Sequence, residues 1–184
     1  MNFYRRINGP WHGRALLILF APILFHMFEH TTQAVQVYVL NVQREDALGL
    51  LGVWMADLIR GEAVHFSFAL YTLASILLVG GAGVGLARSF GLMAVAVQSW
   101  HLFEHSLLIY QRTVDSFFFG ASEPTSLMQL LVPRVELHFI YNSAVFAAIV
   151  IALLLHAYPP RGETVRSSCD CAMDTQAEAE AVPA

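Results

Sequence analysis

Four stretches of this chain, residues 13–40, 62–88, 90–112 and 134–158, are apolar for long enough to cross a bilayer. A hydrocarbon core of about 30 Å takes about 20 consecutive apolar residues to span. In lipid a helix meets its own backbone hydrogen bonds, which irregular chain does not. The sequence therefore predicts an all-α integral membrane protein, an up-down bundle of four transmembrane helices joined by short turns. Composition agrees: 57% of residues are hydrophobic and only 13% charged, with a mean hydropathy of +0.56. Soluble proteins carry about 25% charged residues. The net charge of −4, with every cation an arginine, gives no basic field for nucleic acid. The lipid bilayer is the expected surrounding.

One domain is expected over residues 1–160, followed by a disordered cytoplasmic tail, 161–184, that is small, acidic and rich in alanine. No cleavable leader is read at the start, because the first apolar run continues too far and lacks a small-residue cleavage site. Gly9-Pro10 breaks the lead, and Trp11 and His12 suit an interfacial anchor. Pro22 is placed to kink the first helix. Residues 47–60 are apolar but too short to span, so they read as an interfacial helix, and residues 127–132 read as another. The Gly80–Gly85 stretch is assigned to the second helix as a close-packing surface. Arg5, Arg6, Arg14, Arg88, Arg161 and Arg166 flank one side; Arg44, Arg60, Arg112 and Arg134 flank the other. That balance puts both termini in the cytoplasm, across the plasma membrane if the source is bacterial.

Inside these apolar stretches lies a duplicated polar motif. Residues 25–30 read Phe-His-Met-Phe-Glu-His and residues 100–105 read Trp-His-Leu-Phe-Glu-His. Each copy sets His, Glu and His at i, i+3 and i+4, one helical turn apart on one side. A fainter echo pairs Glu62-Ala-Val-His65 with Glu136-Leu-His138. The chain thus reads as two parallel repeats of a helix pair, which place sites at their interface. Depth agrees: at about 1.5 Å per residue, His30 and His105 lie about 25 Å along their helices, and His65 and His138 lie about 5 Å from the opposite ends of theirs. All four fall just under the non-cytoplasmic surface, with His26 and His101 one turn deeper.

Buried ionisable groups in lipid are costly unless paired or bound to a metal. His12 and His156, each near a helix end, are read as interfacial residues. The metal ligands expected are His26, Glu29, His30, His65, His101, Glu104, His105 and His138. Eight ligands suit two metal ions, iron or copper before zinc, with Glu29 and Glu104 bridging or balancing charge as the catalytic carboxylates. Gln33, Glu136 and Asn142 are placed to orient ligand histidines, and Phe28, Phe103 and Trp100 to pack around the site. The arrangement is similar in logic to ferritin-like dinuclear bundles, though richer in histidine. His26/His30 and His101/His105 also resemble the His-x-x-x-His boxes of membrane desaturases and hydroxylases, although the His-x-x-His-His boxes of that family are absent.

These features predict an oxidase or oxygenase acting on an apolar substrate such as a lipid or quinone. A b-type haem protein is one alternative. A metal-binding or structural subunit with partner membrane subunits is another. His-x-x-Glu-His also occurs as a zinc-peptidase signature, but there as one copy with a distant third ligand. The inner halves of the helices read as a sealed apolar floor. Cys169 and Cys171 could form a two-thiolate metal clip, though on the side away from the cluster.

Overall fold

The computed structural model describes residues 2–160 and Cys169. The expected tail, Cys171 included, otherwise lies outside the described residues. The described chain is helical, with no strand. In order, α1 spans Phe3–Ile7, α2 His12–Tyr38, α3 Gly52–Arg60, α4 Glu62–Val79, α5 Gly85–Val114 and α6 Arg134–Ala157. Three helices, α2, α4 and α6, are long and apolar enough to cross a membrane. At 30 residues α5 is the longest. Its C-terminal half carries Gln98, His101, Glu104, His105 and Gln111, which lowers its hydropathy.

The burial pattern is inverted relative to a soluble protein. Leu17, Ile18, Leu24, Leu77, Leu92, Ile140 and Leu154 are exposed on the long helices. Glu29, His30, Glu62, Gln98, His101, Glu104, His105, Gln111 and His138 are buried. Apolar residues outside and polar residues inside are what a lipid solvent selects.

Helix directions follow from contacts at the ends. α2 packs on α4 and α6, and α5 packs on α4 and α6. Asn8, just before α2, donates its Nδ2 to Leu78 O near the end of α4, at 2.7 Å. His12 at the start of α2 meets His156 at the end of α6, with ring centroids 5.0 Å apart. Glu62 and Arg134, which open α4 and α6, form an ion pair. Successive long helices therefore alternate in direction.

The elements end for local reasons. Pro22 lies inside α2 on an exposed face and does not end it. Asn41 after α2 and Asp115 after α5 both adopt left-handed backbone, with φ of 55° and 49°. Residues able to hold that conformation commonly close helices. The expected packing role of Gly80–Gly85 is corrected. α4 stops at Val79, residues Gly80–Ala82 form a 3-10 turn, and α5 begins at Gly85 with a φ of 50°. A Cβ added at Gly80 would meet no atom within 4 Å, so the glycine serves the turn and not a close helix contact. The turn expected at Ser89 accordingly sits earlier in the chain. α3 is broken at Met55 (φ −140°, ψ 49°).

Ile23, Ile76, Ala94, Val145, Ala148 and Ile149 make a buried apolar core where the long helices cross. The part of the molecule beyond that core, away from the six histidines, is not solid. A cavity of about 490 Å³ lies there, bounded by Leu16, Phe20, Leu92, Leu153, His12 and His156 among others. The core closes the floor under the histidines, and the cavity lies between that floor and the helix ends that carry His12 and His156.

Candidate metal centre

Four helices bring six imidazoles into one connected group. α2 contributes His26 and His30, whose Nε2 atoms are 3.0 Å apart. α5 contributes His101 and His105, whose Nε2 atoms are 3.1 Å apart. α6 contributes His138, with Nε2 3.3 Å from that of His105. α4 contributes His65, whose ring centroid lies 5.8 Å from that of His105 and 5.5 Å from that of His138. The His138 ring also stands 5.7 Å from that of His30 and 5.5 Å from that of His101, which joins the two motif copies.

Backbone carbonyls set the tautomers. His65 Nδ1 faces Gly61 O at 3.0 Å, and His138 Nδ1 faces Arg134 O at 2.8 Å. A carbonyl only accepts, so Nδ1 carries the proton and Nε2 presents a lone pair to the interior. His30 does the same with Gln33 Oε1 at 2.8 Å, the contact expected from their spacing. A histidine whose other nitrogen donates to an oxygen is prepared as a metal ligand.

His101, His105 and His138 offer ligand nitrogens that all lie within 4.8 Å of one another, and all three rings are buried. These residues could hold a metal ion. Two nitrogens on one tetrahedral metal, each bound at about 2 Å, lie about 3.3 Å apart, close to the 3.1 and 3.3 Å found here. Hydrogen bonding alone serves the trio poorly. With the His138 Nε2 unprotonated, His105 must turn an N–H toward it, and a neutral His105 then aims its Nδ1 lone pair at Glu62. That Nδ1 is 3.7 Å from Glu62 Oε2. A metal ion among the three ligand nitrogens would relieve this, with the His105 Nδ1–H then facing Glu62.

No family model, curated protein or solved structure matches the chain.

The two motif glutamates, expected to bridge the metal ions, are hydrogen-bonded to other groups in this structure. Glu29 Oε2 accepts from the backbone N–H of Leu50 and Leu51, at 2.8 and 3.1 Å. Glu104 accepts from Met128 N–H at 2.8 Å and from the Tyr141 hydroxyl at 3.0 Å. Both hold the segments that follow their helices, and neither is hydrogen-bonded to a histidine. Helical geometry gives the reason. At about 100° per residue, the two histidines of each motif differ by about 40°, whereas the glutamate is turned about 60° from the first and about 100° from the second. The histidines point at the centre and the glutamate points beside it.

A glutamine seven residues after each glutamate shares its face to within about 20°. Gln36 Oε1 accepts from Gly49 N–H at 2.9 Å, and its Nε2 donates to Gly49 O at 3.3 Å. Gln111 Oε1 accepts from Phe118 N–H at 2.9 Å, and its Nε2 donates to Thr125 O at 2.9 Å. Gln36 and Gln111 are 75 residues apart, as are the two motifs. That spacing was the available signal for them.

The carboxylate beside the histidines is Glu62, which sequence reasoning treated only as part of the fainter echo. It is buried, paired with Arg134 and adjacent to His105. Its Glu-x-x-His spacing to His65 was the clue. Glu136 and Asn142 do not orient a ligand histidine. Glu136 Oε1 accepts from the Tyr38 hydroxyl at 2.7 Å and from Arg44 Nε at 2.6 Å. Asn142 donates to the His138 backbone carbonyl. Phe28, Phe103 and Trp100 are exposed. The aromatic rings stacked on the cluster are instead Phe68 on His26 and Tyr141 on His101, with centroids 3.9 and 4.9 Å apart.

Proposed function

We propose that this chain is an integral membrane metalloprotein: a four-transmembrane up-down bundle, built from two parallel repeats of a helix pair, with a dinuclear metal site near its non-cytoplasmic face. One ion would sit at His101, His105 and His138, and the second beside the His26–His30 pair, whose Nε2 atoms are 3.0 Å apart. Glu62 replaces Glu29 and Glu104 as the carboxylate that balances their charge. The observation that carries this reading is the meeting of six imidazoles from four helices, three with Nδ1 bound to an oxygen so that Nε2 is left for a ligand. The repeat is supported by parallel local structure. Each half has a His-x-x-Glu-His motif, a glutamine seven residues after the glutamate, a left-handed helix stop and a loop whose backbone is held by that Glu and Gln.

Six imidazoles and one carboxylate suit iron, copper or zinc, and the reaction class we favour is oxidation of an apolar substrate with dioxygen as electron acceptor. Lipids and quinones fit because His26 is only partly buried. It stacks on Phe68 beside an open groove lined by Ala63, Val64, Ser67 and Tyr71. In this role the chain's own residues do four things. Carbonyls and Gln33 hold the histidines in one tautomer, Glu62 offsets cationic charge, the apolar core shuts out water from the inner side, and the α4 groove admits substrate laterally. Both termini would lie in the cytoplasm.

A b-type haem fits less well. His105 and His138, on facing helices, have Nε2 atoms 3.3 Å apart, too close for axial ligands on opposite faces of one iron, which need about 4 Å at metal–nitrogen bonds of about 2 Å. The test is metal content per chain of the detergent-purified protein, with an absorption spectrum of the same sample. Two irons or coppers per chain are expected. A Soret band would replace the reading with a cytochrome, stoichiometric zinc would move it to non-redox chemistry, and no metal after reconstitution would overturn it.

A further inference from the structure

The helix ends opposite the six histidines carry a second group of metal-competent side chains. His12 opens α2, and His156 lies in the last turn of α6. Both are buried, and their rings meet edge-on at 5.0 Å. Cys169, thirteen residues after His156, places its Sγ 3.1 Å from His156 Nε2. His12 donates its Nδ1–H to Ile7 O at 2.9 Å, so its Nε2 is the nitrogen left for a ligand. One ligand atom from each of the three residues lies within 4.8 Å of the others. Eighteen residues of α2, about 27 Å, separate His12 from His30, so the two groups cannot share an ion. The reading of His12 and His156 as separate interfacial residues did not anticipate their meeting.

We propose that His12, His156 and Cys169 form a second metal site, selective for a thiophilic d10 cation, Zn²⁺ or Cu⁺. One thiolate with two imidazoles is a borderline-soft donor set that suits these ions and not Mg²⁺ or Ca²⁺. Binding displaces the thiol proton to solvent, and three protein ligands leave a fourth position on zinc for water. The site joins the start of α2, the end of α6 and the chain beyond Pro160. An ion there fixes residue 169 against the end of the helices, where His12 and His156 also line the inner cavity. This site is independent of the six-histidine reading, since none of its ligands belongs to that group.

The full-length protein in detergent, stripped of metal, is titrated with Co²⁺ as a spectroscopic probe for zinc, and separately with Cu⁺ against a competing chelator. A thiolate-to-cobalt charge-transfer band is expected. Cys169→Ser, outside the helices, should abolish it, and His12→Gln with His156→Gln should weaken cobalt binding by tenfold or more. His101→Gln with His105→Gln should leave the band intact even if that variant loses its other metal. Cys171→Ser decides without disturbing the helices: retention of the band supports the proposal, and its loss shows a two-thiol clip in the tail and overturns it. Absence of any thiolate band and of Cu⁺ binding in the wild-type protein also overturns it.

Discussion

The two His-x-x-Glu-His segments have the same pattern but different surroundings. In the second copy, His101 and His105 are both buried, His138 completes a three-nitrogen group, and Tyr141 stacks on His101 while donating to Glu104. In the first copy, His26 is partly exposed, stacks on Phe68 and lies beside the α4 groove. The backbone devices are matched, since Glu29 with Gln36 and Glu104 with Gln111 each fasten the loop that follows. The difference therefore lies in closure. The second copy is the enclosed half, and the first is the half that lies beside the α4 groove.

The largest expected effect separates the histidines. His105→Ala removes the nitrogen that lies within 3.3 Å of both His101 and His138, and should eliminate the ion proposed there. His26→Ala should leave that ion in place and alter only the other. Metal analysis of both variants checks this, and equal losses would argue for a single shared site. Next is Arg134→Met, which strips Glu62 of its guanidinium and leaves a buried carboxylate. Removing one partner of a buried pair is costly, but Arg134 is partly exposed, so a loss of about 2 kcal/mol is expected. Thermal unfolding in detergent measures it, and an unchanged midpoint would show that Glu62 needs no counter-charge.

The glutamates test the matched part of the comparison. Glu29→Ala leaves the Leu50 and Leu51 amides without their acceptor, and Glu104→Ala does the same to Met128 and Tyr141. Each should lower stability by about 1–3 kcal/mol while metal content stays unchanged. Loss of metal without loss of stability in either variant would restore the bridging role expected from sequence. The smallest effect belongs to one copy alone. Gly49 sits at φ 73°, and a Cβ there would run into Glu29. Gly49→Ala should cost about 1 kcal/mol or somewhat more. Thr125→Ala, at the matching loop of the second copy, should fall within about 0.5 kcal/mol of wild type. Equal costs would mean the two loops are held more alike than the hydrogen bonds indicate.

Much of this molecule was legible in local pattern. Three membrane-length helices follow from runs of apolar residues, because lipid imposes length and hydropathy directly on sequence. The histidines that meet were identifiable from i, i+4 spacing, the 75-residue distance between the two motifs and depth along the helices. Three things were not legible. The direction of Glu29 and Glu104 depends on loops that fold back to offer backbone amides, and spacing along a helix does not show where a loop returns. The place of Glu62 depends on α4 and α6 starting side by side, so that Arg134 pairs with it while His105 approaches from α5. The approach of Cys169 to His12 and His156 joins the two ends of the described chain, a contact with no local signature. Sequence alone determined which residues are costly to bury in a bilayer. Only the tertiary structure decided which of them compensate one another, because hydropathy acts on each segment separately, whereas pairing depends on distances between segments.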